Sequence, residues 1–270
     1  MEPKIIFEDE DLLVLDKPAG MTVNRADTTK GEVTLQDWVE KYLSLPRVSR
    51  VPKVSREDAQ MIENSRDAFF ERAGIVHRLD KETSGILLIA KTPEAFLNMQ
   101  AQFKERKVQK TYTALVHGKV EPEEGEIVVP VGRLPWNRKR FGVLADGKEA
   151  TTKFKVQSST LRLRSGQEFK VGEGTLSLLE LYPKTGRTHQ IRVHLKYVNH
   201  PIFSDPLYGG RKQARNDRKN LPRVFLHASK ISFTHPRTGE TISFESPLPK
   251  ELSEFLKKIE VKSLVFKTLT

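Results

Sequence analysis

Short apolar runs, separated by glycine- and proline-rich turns at the spacing of hairpins, recur along this chain and restrict it to a sheet-based architecture. Ile5-Ile-Phe and Leu12-Leu-Val-Leu flank the acidic turn Glu8 to Asp11, and Lys17-Pro-Ala-Gly then breaks the strand pattern. Gly85 to Ala90 reads as a buried strand, and Tyr112 to Val116 as another. Glu126 to Val131, Thr151 to Val156 and Thr175 to Tyr182 follow, and a last hairpin pairs Lys230 to Thr234 with Glu240 to Phe244 across His235-Pro-Arg-Thr-Gly.

Helical periodicity is sparser. Thr34 is placed to cap a helix with Leu35, Trp38, Val39, Tyr42 and Leu43 on one face. Thr92 and Pro93 open a second, with Phe96, Met99 and Phe103 facing inward. Thr188 is expected to cap a third running to about Tyr197, and a closing helix aligns Leu252, Phe255, Leu256 and Ile259. The pattern predicts the α+β class: a mixed, mainly antiparallel β-sheet with flanking helices. No clear linker divides the chain, so residues 1–270 are expected to form one domain. Within it, 44–72 and Leu161 to Gly174 read as loops or insertions.

Composition removes several function classes. The chain has no cysteine, which excludes disulfides, thiolate metal sites and cysteine nucleophiles. The apolar run Ile86 to Ala90 is too short to cross a bilayer, and the acidic N-terminus lacks the basic region of a secretion signal. The expected compartment is the cytoplasm. Lys and Arg number 46 against 35 Asp and Glu, a net charge of +11. On charge alone a polyanion-binding face and a merely solvated basic surface fit equally. Distribution favours the first. Basic residues cluster at Arg47, Arg50, Lys53 and Arg56, at Lys104 to Lys110, at Arg138, Lys139 and Arg140, and from Arg211 and Lys212 to Arg223. Trp136 and Phe141 flank the third cluster and Tyr208 precedes the last, a mixture suited to phosphates and unpaired bases.

Two segments concentrate reactive groups. In Gly74-Ile-Val-His-Arg-Leu-Asp-Lys-Glu-Thr-Ser-Gly-Ile-Leu-Leu-Ile-Ala-Lys, polar side chains crowd the entrance to a buried strand. A lone Asp80 there would ordinarily be a turn carboxylate. In Leu181-Tyr-Pro-Lys-Thr-Gly-Arg-Thr-His-Gln-Ile-Arg-Val-His, polar groups line the entry to a helix, where exposed N–H groups bind anions. His189 and His194 lie five apart, off one helical face, which argues against metal ligation and for hydrogen-bonding spacers. Arg192, one turn into that helix, can reach back toward a carboxylate.

His77-Arg-Leu-Asp-Lys-Glu-Thr-Ser-Gly-Ile-Leu resembles the catalytic-aspartate motif of RluA-type pseudouridine synthases. Gly186-Arg-Thr-His-Gln-Ile-Arg-Val-His, with His200-Pro-Ile and Asp205-Pro-Leu-Tyr-Gly after it, is similar to a later motif of that family. Matches at Lys17-Pro-Ala-Gly, Lys110-Thr-Tyr-Thr-Ala-Leu-Val-His-Gly, Gly147-Lys-Glu-Ala-Thr-Thr, Leu226-His-Ala and His235-Pro-Arg-Thr-Gly keep the family's order. The resemblance implies a pseudouridine synthase fold with a central active-site cleft and an isomerase that converts uridine within ribosomal or transfer RNA. It implies Asp80 as nucleophile, Tyr112 stacked on the target base and placed for proton removal from C5, and Arg192 paired with the aspartate. Arg78 would help fill the space left by the flipped nucleotide, and Leu226 would pack beneath the site. With His77, Arg187, His189 and Gln190, and with the basic Arg138, Lys139, Arg140, Arg211 and Lys212, these form the expected RNA-binding set. The family uses neither metal nor organic cofactor, and a monomer without an obligate protein partner is expected.

The chain departs from its relatives in two respects. It opens at the first hairpin, where many relatives carry an RNA-binding S4 module, so target choice is expected to rest on the catalytic domain. Ser204 stands where relatives usually have glycine before the aspartate. Two rival classes fit less well: a catalytically idle RNA-binding or ribosome-assembly factor, disfavoured by the intact Asp80, Tyr112 and Arg192, and a metal-dependent hydrolase, disfavoured by ligand spacing.

Overall fold

Asp9 closes the first hairpin. Its Oδ1 accepts the main-chain N–H groups of Asp11 (2.8 Å) and Leu12 (2.7 Å), turning β1 (Lys4–Glu8) back antiparallel onto β2 (Leu12–Lys17). On its other edge β2 pairs antiparallel with β3 (Ser84–Ala90), from Leu12↔Ala90 to Lys17↔Gly85. Every residue of β3 is buried, which is why its sequence reads as one apolar run. The computed structural model describes residues 2–26, 29, 31–45, 67–163 and 175–261. The chain forms two compact units, Met1–Gln109 with Lys230–Ser246, and Lys110–Ser229 with Pro247–Thr270.

In the first unit, β1, β2 and β3 are followed in the sheet by β10 (Leu226–Thr234), whose Lys230–Thr234 half lies here and pairs antiparallel with β11 (Thr241–Glu245). Helix α1 (Leu35–Tyr42) starts at Thr34 through a reciprocal capping box with Asp37, and α2 (Pro93–Lys104) starts at Thr92 with Pro93 in the first turn. Leu12, Val14, Ile86, Leu88, Met99, Val108, Ile231 and Phe233 make the core, with Phe103 packed at its edge. Burying such side chains contributes about 1.5–3 kcal/mol each before entropy is counted. Where a loop is expected within 44–72, residues 67–71 are helical, because Phe69 packs edge-on against Phe96 with centroids 5.9 Å apart. Residues 46–66, including the Arg47 to Arg56 cluster, lie outside the described residues.

The second unit is built on β4 (Gln109–His117), β9 (Leu176–Pro183), β8 (Thr151–Leu163) and β12 (Ile259–Val261), each antiparallel to the next, with β5 (Glu124–Val128) also on β8. The strand expected over 126–131 is broken. Pro130, which has no N–H to give a ladder, separates β5 from a small hairpin of β6 (Val131–Arg133) and β7 (Phe141–Val143). Helices α3 (Gln190–Tyr197), α4 (Arg211–Asp217) and α5 (Lys250–Lys258) complete the unit. Leu252 and Phe255 of α5 are buried, and Phe255 meets Phe203 at 4.9 Å between centroids. The fold is the expected α+β class. Among the described residues no helix is long and apolar enough to cross a membrane.

Candidate active site

Asp80 lies in a loop of the first unit that is fastened at both ends. At its start, Ala90 donates to the carbonyl of Gly74 (2.9 Å), and Ile75 bridges Ile89. The approach is too close for any other residue: a Cβ on Gly74 would sit 2.0 Å from the Ala90 oxygen, and φ there is +71°. In the middle, Leu79 is buried and the Leu88 N–H donates to His77 Nε2 at 2.9 Å, so the ring carries its proton on Nδ1. At its end, the Lys81 carbonyl accepts from Gly20 N–H (2.7 Å) and from the buried Lys17 ammonium (3.3 Å), and Thr83 N–H donates to the Asp80 carbonyl (3.1 Å). Lys17 also donates to the carbonyls of Pro18 (2.8 Å) and Met21 (2.9 Å). The result is a half-buried carboxylate on a backbone with little freedom to move, with exposed Arg78 two residues before it. Such fixity is what a reacting group requires.

Tyr112 and Arg192 belong to the second unit. Tyr112, 9% exposed, stands opposite Leu181 in the β4–β9 ladder. Beside it, burial pushes the Lys110 ammonium down to about 8. Arg192 makes a two-point contact with Asp205: Nε to Oδ2 at 2.7 Å and Nη2 to Oδ1 at 2.9 Å. Asp205 is fully buried, and its Oδ1 also accepts the N–H groups of Leu207 (2.9 Å) and Tyr208 (3.1 Å). The guanidinium carbon sits 5.0 Å from the centre of the Tyr208 ring. Planar, bidentate and stacked, this geometry suits arginine and not lysine. The carboxylate that Arg192 reaches within its own unit is thus Asp205, whose motif the sequence displayed without showing this task. Tyr208 extends the network: its hydroxyl accepts from Phe141 N–H (3.0 Å) and bonds His189 Nδ1 (2.9 Å).

The entry to α3 differs from expectation. The cap is His189, in the left-handed region at φ 57°, and Thr188 makes no cap. Gln190 does the tying: its Oε1 accepts from Thr185 Oγ1 (2.7 Å) and Arg187 N–H (3.0 Å), and its Nε2 donates to Thr151 O and Thr152 Oγ1, both at 3.0 Å. All its polar capacity is spent inside the protein. Arg187 Nε donates to the Glu149 carbonyl (3.0 Å). His194 bonds the Val129 carbonyl at 3.1 Å, and burial holds its ring below the usual histidine range. Each histidine of this segment thus makes a hydrogen bond within the second unit.

Among the other expected contacts, Leu226 is buried, while Arg138, Lys139, Arg211 and Lys212 are exposed and Arg140 is half-exposed above Tyr208. Arg223 departs from its cluster: it is buried, donating to Glu251 (2.9 Å) and to the carbonyls of Val224 and Leu226. Of the neighbouring aromatics only Trp136 is exposed, since Phe141 and Tyr208 pack together around Val131 and Val193. In the first unit Asp9, Asp11 and His235 bring ligand atoms within 4.8 Å of one another. His235 is hydrogen-bonded to Asp9 (2.8 Å), and Arg237 is ion-paired with Asp11 and Glu10, so the cluster ties two hairpin turns together.

Residues 11–197, which include Asp80, Tyr112 and Arg192, match the family model described as RNA pseudouridylate synthase. The chain belongs to this family. It is 37% identical to the ribosomal large subunit pseudouridine synthase D of Nitrosomonas europaea across 95% of this chain and 65% of that one. Identity to the protein of the same name in Neisseria meningitidis serogroup B is 36%, across 96% and 62%. An uncharacterized RNA pseudouridine synthase of Bacillus subtilis is 36% identical, across 96% and 73%. The chain thus spans somewhat under two thirds of the length of the first two relatives. Among solved structures, human RNA pseudouridylate synthase domain containing 1 superposes with a TM-score of 0.64 at 26% identity, covering 91% of this chain and 83% of that one.

Proposed function

We propose that this member of the family is an active RNA pseudouridine synthase, an isomerase acting on uridine in ribosomal RNA, a reading supported by the ribosomal large subunit in the names of its Nitrosomonas and Neisseria relatives. The reaction breaks the N1–C1′ bond, turns the detached uracil, joins C5 to C1′, and gives up the C5 proton to solvent while N1 takes one up, so that product and substrate have the same composition. A stacked base is out of reach of any side chain, so the nucleotide must leave its helix, at a cost of roughly a few kcal/mol. In this reading Asp80 is the nucleophile. Tyr112 stacks on the flipped base and serves proton removal from C5. Arg192, held by Asp205, is the basic residue assigned to the aspartate. Arg78 fills the vacated stack, and exposed Arg138, Lys139, Arg211 and Lys212 hold phosphates. The enzyme works as a monomer where the RNA is, in the cytoplasm.

The observation that carries the reading is the half-buried carboxylate of Asp80 on a loop tied to β3, Gly20 and Lys17, in a chain of this family. Its test is tritium release from a large-subunit ribosomal RNA transcript labelled at uridine C5. The wild type should release label. Asp80→Asn and Asp80→Ala should bind the transcript yet release label slower by about a thousandfold or more. Release by either variant at the wild-type rate would remove Asp80 from the chemistry.

A further inference from the structure

The exposed Trp136 at the turn between β6 and β7 has no packing role that explains it. The indole is 77% exposed, between Pro135 and Asn137 and close to Arg138 and Lys139, both exposed. A lone exposed ring is ordinary on a protein surface; what sets this one apart is the pair of exposed cations beside it on a hydrogen-bonded turn. We infer that this turn is a stacking finger, in which Trp136 takes an unpaired base of the RNA while Arg138 and Lys139 meet the adjoining phosphates. The inference rests on the RNA reading above and adds a specificity-determining contact to it.

Three observations support an unpaired base as the occupant. The first is shape. Main-chain bonds Leu134 N–H to Arg140 O (3.0 Å), Asn137 N–H to Leu134 O (3.2 Å) and Arg140 N–H to Asn137 O (2.9 Å) hold the turn, and the Arg133 guanidinium bonds the Arg138 carbonyl. The ring is therefore presented on a preorganised support, which keeps the entropy lost on binding small. The second is anchorage. Phe141 N–H donates to the Tyr208 hydroxyl, the guanidinium carbons of Arg133 and Arg140 lie 4.8 Å from the Phe141 ring centre and 5.9 Å from that of Tyr208, and Tyr208 carries Arg192 on its face. The finger is thus braced against the same residue as the Arg192–Asp205 pair. The third is charge: cations beside an exposed ring suit a strand that offers a π-face and a phosphate at each step. A paired duplex hides its base faces, leaving phosphates, 2′-hydroxyls and base edges but no open π-face to stack on.

The chain has two tryptophans, and Trp38 stacks on Tyr42 at 4.9 Å, so Trp38→Phe keeps that stack and leaves Trp136 as the sole indole reporter. Trp38→Phe protein is titrated with a twelve-nucleotide oligouridylate and with an RNA duplex of equal length, with binding followed by anisotropy of a labelled strand. Oligouridylate should quench the indole as it binds, and the duplex should not. Trp136→Ala should weaken oligouridylate binding about tenfold or more and raise KM for tritium release, with Trp136→Phe recovering most of both. The same melting temperature for all three proteins separates this loss from misfolding. Saturated anisotropy without quenching, or wild-type affinity in Trp136→Ala, overturns the finger. Tritium release with an indifferent Trp136 would sink the inference and keep the catalytic reading. Quenching by oligouridylate in a protein that releases no tritium would do the reverse.

Discussion

Ser204 shows how one residue can hold a conformation that suits another. Its φ is 65°, in the region that favours glycine, and it is fully buried. The cost of such a backbone, on the order of 1 kcal/mol or more, is offset by polar contacts. The Ser204 hydroxyl donates to the Leu221 carbonyl, and its N–H donates to Asp217 Oδ2 (3.1 Å). The next residue is Asp205, so this turn aims the carboxylate that holds Arg192. Glycine would relieve the backbone and lose one hydrogen bond; Ser204→Gly should therefore lie within about 1 kcal/mol of wild type. Ser204→Val places a branched side chain at the same φ and strands the Leu221 carbonyl, and should cost about 2–4 kcal/mol. Urea denaturation measures both, and a valine variant as stable as wild type would contradict the account. The sequence marked Ser204 as a departure from its relatives. Its compensation was not legible, because Leu221 and Asp217 come from α4 and the turn after it.

Elements fixed by neighbours in sequence were the ones that could be read directly. The first hairpin, the capping of α1 and α2, the buried β3 and the β10–β11 turn all follow from residues within a few positions of one another. Contacts across sequence escaped. The start of α3 is set by Gln190 reaching Thr151 and Thr152, 39 and 38 residues away, and no capping rule anticipates that. In the sequence Lys17 looks like part of a chain break, yet its ammonium grips the loop of Asp80, bonding Lys81 from 64 residues upstream. Lys17→Met should take the ammonium from the Pro18 and Met21 carbonyls and leave the Lys81 carbonyl its Gly20 N–H, lowering stability by about 2–4 kcal/mol. Loosening of one loop also predicts faster amide exchange over 78–83 than over the β10–β11 hairpin. Uniform acceleration across the unit would assign Lys17 to general stability and not to that loop.

At the scale of the whole chain, the +11 charge gains meaning only once exposure is known. Arg223 is spent on Glu251 and two carbonyls, and Arg192 on Asp205, so neither adds to an outward field. On α4, Arg211, Lys212 and Arg215 are exposed. If each meets a phosphate, changing all three to glutamine should flatten the slope of log affinity against log salt by about two, at roughly 0.7 per contact on single-stranded RNA. Ribosomal RNA binding measured between about 50 and 200 mM KCl gives that slope, and an unchanged value would exclude α4 from the interface. Burial was the quantity that charge counting could not supply, since surface and core arginines look alike in a string of letters.

The turn between β6 and β7 carries a consequence for how its residues can be replaced. Its register is held chiefly by backbone atoms and by the hydroxyl of Tyr208, while the side chains of Trp136, Arg138 and Lys139 project outward. Folding makes few demands on letters at those positions. If the turn meets RNA as inferred above, substitutions at those positions would change what is gripped and leave the Arg192–Asp205 pair in place.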